Sequence, residues 1–214
     1  MPNQTVAVFD LGGVLIDWNP RYLYRKLFKG DEAAMEHFLA TVCTSAWNLQ
    51  QDAGRPFAEA CAALKLEHPE DAELIDAWFE RQSEMIAGPI ENTVRILAEL
   101  RDCRVPLYAL SNWSAETFPS ALQRFDFLHW FQGILLSGEV RLVKPDPRIF
   151  KLFFERHHIE PAQTVYVDDL PRNVETANAL GMHGIVFTDP PALRAELVKI
   201  GLLGSAQENS AAKD

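Results

Sequence analysis

Cysteine is sparse in this chain: Cys43, Cys61 and Cys103 are spread over 214 residues with no Cys-x-x-Cys pair. That pattern argues against a catalytic thiol and for reduced thiols packed as small apolar groups. No apolar run approaches 18 residues and no basic, apolar leader opens the sequence, so the expectation is a cytoplasmic protein that neither enters nor crosses a membrane. Positive charge is in deficit, with 20 Lys and Arg against 30 Asp and Glu and a formal charge of −10. Such a field repels nucleic acid and anionic lipid, so neither is expected as a partner. The histidines, His37, His68, His129, His157, His158 and His183, lack metal-ligand spacing and read as surface or core residues.

What is present is an ordinary globular composition, 48% apolar and 23% charged, enough for one large domain or a core with a smaller insert. Near the start, Val6-Ala7-Val8-Phe9 runs into Asp10-Leu11-Gly12-Gly13, which reads as a buried strand delivering a carboxylate into a glycine turn. Residues 20–86 then carry helical patterning with almost no strand signal. Asp31 reads as the N-cap of a helix over 32–42, and Phe57, Ala60, Cys61 and Leu64 share one face of the next. Gly88-Pro89 punctuates the end of this unit. From 91 onward helix and strand alternate, with strands over 105–110, 134–136, 164–167 and 185–187, which argues for a parallel sheet with crossover helices. About 95 residues separate the first two strands, far more than one crossover needs. The predicted architecture is therefore α/β: a Rossmann-like core from 1–16 and 89–203, a helical cap over 17–88, and a disordered tail over 204–214.

In a parallel sheet with right-handed crossovers all strands end on one edge, so residues that follow successive apolar runs meet there. Those endings are Asp10, then Ser111 and Asn112, then Lys144 after the third strand, then Asp168 and Asp169. Taken singly, Asp10 before two glycines is as consistent with a turn as with chemistry. Together, three carboxylates within about 4–6 Å would repel by a few kcal/mol per pair at an effective dielectric near 20, so a cation or protonation must offset them. Mg²⁺ suits oxygen donors of this kind. Asp10 is then the nucleophile that takes up a phosphoryl group. Ser111 and the backbone N–H groups at Gly12 and Gly13 donate to the phosphoryl oxygens, Asn112 helps to orient and bind them or orients Asp10, and Lys144 neutralises charge and steadies Asp10. Asp10, Asp169, the Gly12 carbonyl, and Asp168 directly or through water, complete the metal shell, with Asn173 supporting it one helical turn on. The implied partner is a small phosphorylated metabolite. A homodimer is compatible with this reading, and Trp18, Asn19 and Arg21 stand near enough to the first strand to merit attention.

At these residues the sequence resembles the haloacid dehalogenase superfamily. Phe9-Asp10-Leu11-Gly12-Gly13-Val14 resembles its nucleophile motif, Leu110-Ser111-Asn112 its second motif, Lys144-Pro145 its third, and Val167-Asp168-Asp169 through Asn173 its fourth. The insert is similar to the superfamily's C1-type cap, including Trp47 and the Asp52-Ala53-Gly54 turn. One departure stands out: phosphatases of the superfamily usually carry an aspartate two positions after the nucleophile, as acid and base, and here that residue is Gly12. Loss of such a group typically costs 10²- to 10⁴-fold. Three readings follow: a Mg²⁺-dependent phosphatase for a leaving group needing little acid help, such as an anomeric sugar phosphate; a 2-haloacid dehalogenase with Asp10 attacking carbon; and a non-catalytic binding protein. The Asp168-Asp169 pair disfavours the second, because it repels a carboxylate substrate, and an intact Asp10, Lys144 and Asp169 disfavours the third.

Overall fold

The computed structural model describes residues 5–204; the expected tail, apart from Gly204, lies outside the described residues. The chain begins with β1 (Val6–Phe9) and β2 (Ile16–Trp18), then runs through five helices: α1 (Arg21–Leu27), α2 (Glu32–Thr41), α3 (Ser45–Asp52), α4 (Phe57–Glu67) and α5 (Ala72–Glu80). It returns along β3 (Ile86–Pro89) into α6 (Glu91–Asp102), β4 (Leu107–Ser111), α7 (Phe118–Arg124), β5 (Gly133–Leu136) and the short α8 (Ser137–Val140). α9 (Pro147–His157), β6 (Thr164–Asp168), α10 (Pro171–Ala179), β7 (His183–Val186) and α11 (Pro190–Lys199) complete it.

Five strands form one parallel sheet in the order β5-β4-β1-β6-β7, so the expected α/β Rossmann-like core is present with β1 at its centre. Alternate residues of a strand face opposite sides of the sheet. Ala7 and Phe9 accordingly join Ala109, Val167, Leu97 of α6 and Leu197 of α11 on one side, while Val8 joins Tyr166, Phe150 and Phe153 of α9 and Ala177 of α10 on the other. Phe9 pairs in register with Ala109 and with Val167, which brings the ends of β1, β4 and β6 side by side. Local signals act as predicted: Asp31 accepts from the Ala34 N–H at 3.0 Å, and Asp146 and Asp189 cap α9 and α11 ahead of first-turn prolines. β4 starts two residues later than predicted, because Pro106 has no N–H for the ladder and contributes only its carbonyl, to the Ala7 N–H at 3.0 Å.

The helical unit has its own apolar interior, built from Leu23 and Tyr24 through Trp78 to Met85. Tyr24, Phe38, Trp47 and Trp78 form a connected aromatic cluster with centroid spacings of 5.0–5.9 Å, each contact adding about 0.5–1.5 kcal/mol beyond area burial. The expectation of almost no strand signal needs correction at the margins of this unit. Residues around Gly88-Pro89 are not a simple break: β2 and β3 form an antiparallel ribbon pairing Ile16 with Pro89 and Asp17 with Gly88. Strands of three and four residues are too short to display a period. Cys43 and Cys61 are buried as expected, whereas Cys103 is exposed. Among the described residues no helix is long and apolar enough to cross a membrane.

Candidate active site

The sheet edge assembles a compact charged cluster around Lys144. Its ammonium has three protons and three acceptors: Asp10 Oδ2 at 3.0 Å, Asp168 Oδ2 at 2.7 Å and the Leu110 carbonyl at 2.9 Å. The side chain is 1% exposed. Burial alone would lower its pKa, but Asp10 and Asp168 more than offset that, so Lys144 stays a cation.

Asp10 sits at the end of β1 with Oδ1 accepting from the Leu11 N–H at 2.7 Å and the Ser111 hydroxyl at 2.8 Å. Burial pushes its carboxyl up to about 6; Lys144 opposes this and Asp168 adds to it. Asp168, fully buried, accepts from Leu170 N at 2.9 Å, Asn173 Nδ2 at 2.9 and 3.0 Å, Tyr166 Oη at 2.5 Å and Lys144. Both its oxygens therefore have protein donors, two of these bonds coming from Asn173. Asp169 has no side-chain partner among the described residues. Its pKa is raised, first by burial and then by Asp168.

Oxygens of Asp10, Asp168 and Asp169 lie within 4.8 Å of one another. Three carboxylates face one ammonium whose protons are all engaged, so two negative charges remain without a counter-ion. An all-oxygen donor set with that residual charge fits a hard divalent cation such as Mg²⁺. The backbone is shaped around it too: Gly13 has φ +75°, and a Cβ there would stand 2.6 Å from Asp169 Oδ2. Gly13→Ala is therefore expected to lower stability by about 1–3 kcal/mol. Thermal unfolding checks this, at roughly 2–4 °C per kcal/mol for a chain of this size.

The Gly13 N–H does not face the site as expected, and Ser111 and Asn112 have partners within the protein. The Gly13 N–H donates to the Ile16 carbonyl at 2.9 Å, closing the turn rather than facing a phosphoryl group. Ser111 points its hydroxyl at Asp10, and Asn112 grips the backbone of Lys144 from both sides, accepting from its N–H at 2.8 Å and donating to its carbonyl at 3.0 Å. Ser111 thus holds the Asp10 carboxylate, and Asn112 holds the backbone of Lys144. Asn19 and Arg21 are taken up locally, by a helix-start hydrogen bond and an exposed pair with Glu36.

A cavity of about 100 Å³ is lined by Gly12 and Asn112, which follow β1 and β4, together with residues of the helical unit. Trp18, Phe57, Trp78, Met85 and Trp113 supply apolar walls, and Asn48, Asp52, Gln82 and Thr117 supply polar groups. From sequence, Tyr166 reads as strand core and Asp52 as part of a turn. Hydrogen bonds tie cap to core: Ser137 Oγ to the Asp52 carbonyl at 2.5 Å, Phe57 N to Glu116 at 3.1 Å and Gln82 to Ser120 at 2.9 Å.

Fold and site together define a hydrolase on a Rossmann-like α/β core. The chain belongs to the haloacid dehalogenase-like hydrolase family, whose profile matches residues 7–187. It is 28% identical over 196 residues to the sesquiterpene phosphatase astK of Aspergillus oryzae, covering 89% of this chain and 93% of that one. It is 23% identical over 192 residues to the validoxylamine A 7'-phosphate phosphatase of Streptomyces hygroscopicus subsp. limoneus, covering 86% and 85%. A family enzyme from Bacteroides thetaiotaomicron, solved with magnesium and inorganic phosphate, superposes with a TM-score of 0.67 at 24% identity over 87% of this chain and 95% of that one. The L-2-haloacid dehalogenase of Xanthobacter autotrophicus, with chloropropionic acid covalently bound, shares the fold at a TM-score of 0.60 and 17% identity, covering 98% and 88%. The fold therefore hosts both chemistries, and the site must discriminate between them.

Proposed function

We propose that the protein is a Mg²⁺-dependent phosphomonoester hydrolase that acts on a small phosphorylated metabolite through an aspartyl phosphate on Asp10. The observation that carries this reading is the excess of carboxylate at the sheet edge: Asp169, with no ion-pair partner among the described residues, stands beside an Asp10 already held by Lys144 and Ser111. A site for a monoanionic haloacid needs no second and third carboxylate and would be weakened by them. A metal-binding site for a phosphate dianion needs them. The two relatives named as phosphatases support the same choice.

Asp10, Asp169 and the Gly12 carbonyl would hold Mg²⁺, with Asp168 acting through Lys144 or a bridging water. When bound, the ion supplies positive charge that draws in a phosphate dianion and offsets charge on the transferring oxygens. The residues of the chain perform the displacement. Asp10 Oδ2, steadied on Lys144, attacks phosphorus, and the bond to the leaving oxygen breaks. Lys144 offsets negative charge close to the reacting atoms. Water then attacks the aspartyl phosphate, releasing phosphate and the Asp10 carboxylate. The small cavity with aromatic walls favours a compact organic group presenting an apolar or ring face to Trp18 and Trp78.

A panel of p-nitrophenyl phosphate, sugar phosphates and 2-chloropropionate tests the reading. Phosphate release is expected with Mg²⁺, to disappear in EDTA and to return when Mg²⁺ is restored. Saturation to 100 times Kd should also stabilise the fold by about 2.7 kcal/mol. Metal-independent chloride release would overturn the assignment.

A further inference from the structure

Gly12 leaves the usual place of the acid and base without a side chain, and a Cβ built there meets nothing within 4 Å. Gly12 lines the cavity, and so does Asp52, the last residue of α3. This carboxyl is partly buried and has no ion-pair partner among the described residues. Asn48 Nδ2 donates to its Oδ2 at 3.1 Å, and a second hydrogen bond comes from the backbone of Ser114.

Asp52 is also fixed relative to the sheet edge. Its carbonyl accepts from Ser137 Oγ at 2.5 Å, and the same oxygen of Ser137 accepts from the Trp113 N–H at 2.9 Å. Gly54, at φ +91°, closes the turn so tightly against α8 that a Cβ there would stand 2.9 Å from the Gly138 carbonyl. A cap residue is thus tied to the loop that follows β4.

The other polar side chains of the cavity are occupied or lack a proton to give. Asn48 bridges Trp78 Nε1 and Asp52, Gln82 donates to Ser120, and Thr117 accepts from Trp113 Nε1 and donates to the Ser114 carbonyl. Among the described residues no histidine, lysine or tyrosine lines the cavity. Lys144 has all three of its protons engaged below.

We infer that Asp52, reaching in from the cap, is the general acid and base that replaces the missing side chain at position 12. The inference rests on the phosphohydrolase reading above. As Asp10 bonds to phosphorus and the leaving oxygen departs with its electron pair, Asp52 gives that oxygen its proton, and the alcohol leaves neutral. The resulting Asp52 carboxylate accepts a proton from the water that attacks the aspartyl phosphate. The P–O bond to Asp10 breaks, phosphate leaves, and Asp10 carboxylate and Asp52 carboxylic acid are both restored. Burial, with Asp10's charge adding to it and the Ser114 N–H opposing it, pushes the Asp52 carboxyl up to about 7, a value suited to both half-reactions near neutral pH. With this donor present, Gly12 does not confine the enzyme to anomeric phosphates, and phosphate esters of ordinary alcohols become substrates.

Leaving-group dependence tests the inference. kcat/KM covers only the steps through departure of the leaving group, so it isolates acid catalysis from hydrolysis of the aspartyl phosphate. At saturating Mg²⁺, wild-type kcat/KM over a series of substituted phenyl phosphates and an alkyl phosphate should depend weakly on leaving-group basicity. Asp52→Asn should make that dependence steep, lowering kcat/KM on the alkyl phosphate by about 10²- to 10⁴-fold and on p-nitrophenyl phosphate by less than tenfold. A steep dependence in the wild type overturns the inference even if the variant fails to fold. So does an equal loss on both esters in Asp52→Asn, or no loss on either. Failure of the phosphohydrolase reading looks different: the wild type then releases no phosphate from any ester with Mg²⁺ present.

Discussion

Asp10→Asn is expected to abolish phosphate release, lowering kcat by about 10⁴-fold or more, as loss of a covalent nucleophile does elsewhere. The amide cannot displace an alkoxide from phosphorus, whereas the rest of the cluster remains. The Leu11 N–H and Ser111 hydroxyl can still donate to the amide oxygen, and Lys144 keeps Asp168 and the Leu110 carbonyl. The fold should therefore survive, and its response to pH identifies the residue independently of turnover. Asp10 has its carboxyl raised from 3.8 to about 6 in the folded protein, chiefly by burial. Between those values the native state holds a proton that the unfolded chain releases, so wild-type stability falls as pH rises through that window. In EDTA that fall should be smaller in Asp10→Asn by the contribution of this one group. Unfolding titrations at pH 4, 5, 6 and 7 check it. Equal slopes in the two proteins would mean that Asp10 is solvated and unperturbed.

Lys144→Met should have the second-largest effect, on stability and activity together. The methionine fills a similar volume but leaves Asp10 and Asp168 facing each other in a buried site without the ammonium that bridges them at 3.0 and 2.7 Å. Removing one partner from a buried ionic cluster costs about 3–5 kcal/mol, or roughly 6–20 °C in Tm for a chain of this length. The penalty should shrink at pH 5, where Asp10 takes up a proton and the repulsion eases, and be largest above pH 7. Turnover should be lost even below the melting temperature, because nothing then steadies Asp10 or offsets charge on the transferring oxygens. A variant as stable as wild type at pH 7.5 would show that the cluster is not held together by this cation.

How much of this was legible in the sequence depends on how local each signal is. Asp31 beside a helical pattern, and apolar runs ending in Asp10, Ser111 or Asp168, carry their meaning within a few residues, and these elements stand where they were expected. The convergence of those endings followed from the handedness of parallel crossovers, which requires no side-chain detail. The β2–β3 ribbon was invisible because its strands are three and four residues long and Pro89 lies within one of them. The direction of individual hydrogen bonds was equally hidden. Ser111, Asn112 and Gly13 each had a donor that could face a phosphoryl group, but in the folded chain those donors meet Asp10, the Lys144 carbonyl and the Ile16 carbonyl. Asp52 lay furthest from view: 42 positions from Asp10 in sequence, it becomes relevant only when α3 is laid over the sheet edge.

The β2–β3 ribbon has a consequence for how the two halves of the molecule can diverge. Because the helical excursion departs and comes back on adjacent, hydrogen-bonded strands, its exchange for another insert leaves the path of the catalytic sheet untouched. Asp17 and Gly88, paired across the ribbon, mark the points at which such an exchange would leave the sheet edge unchanged. If the acid resides on the lid, however, any transplant must bring a carboxyl to the same spot or forfeit esters of poor leaving groups.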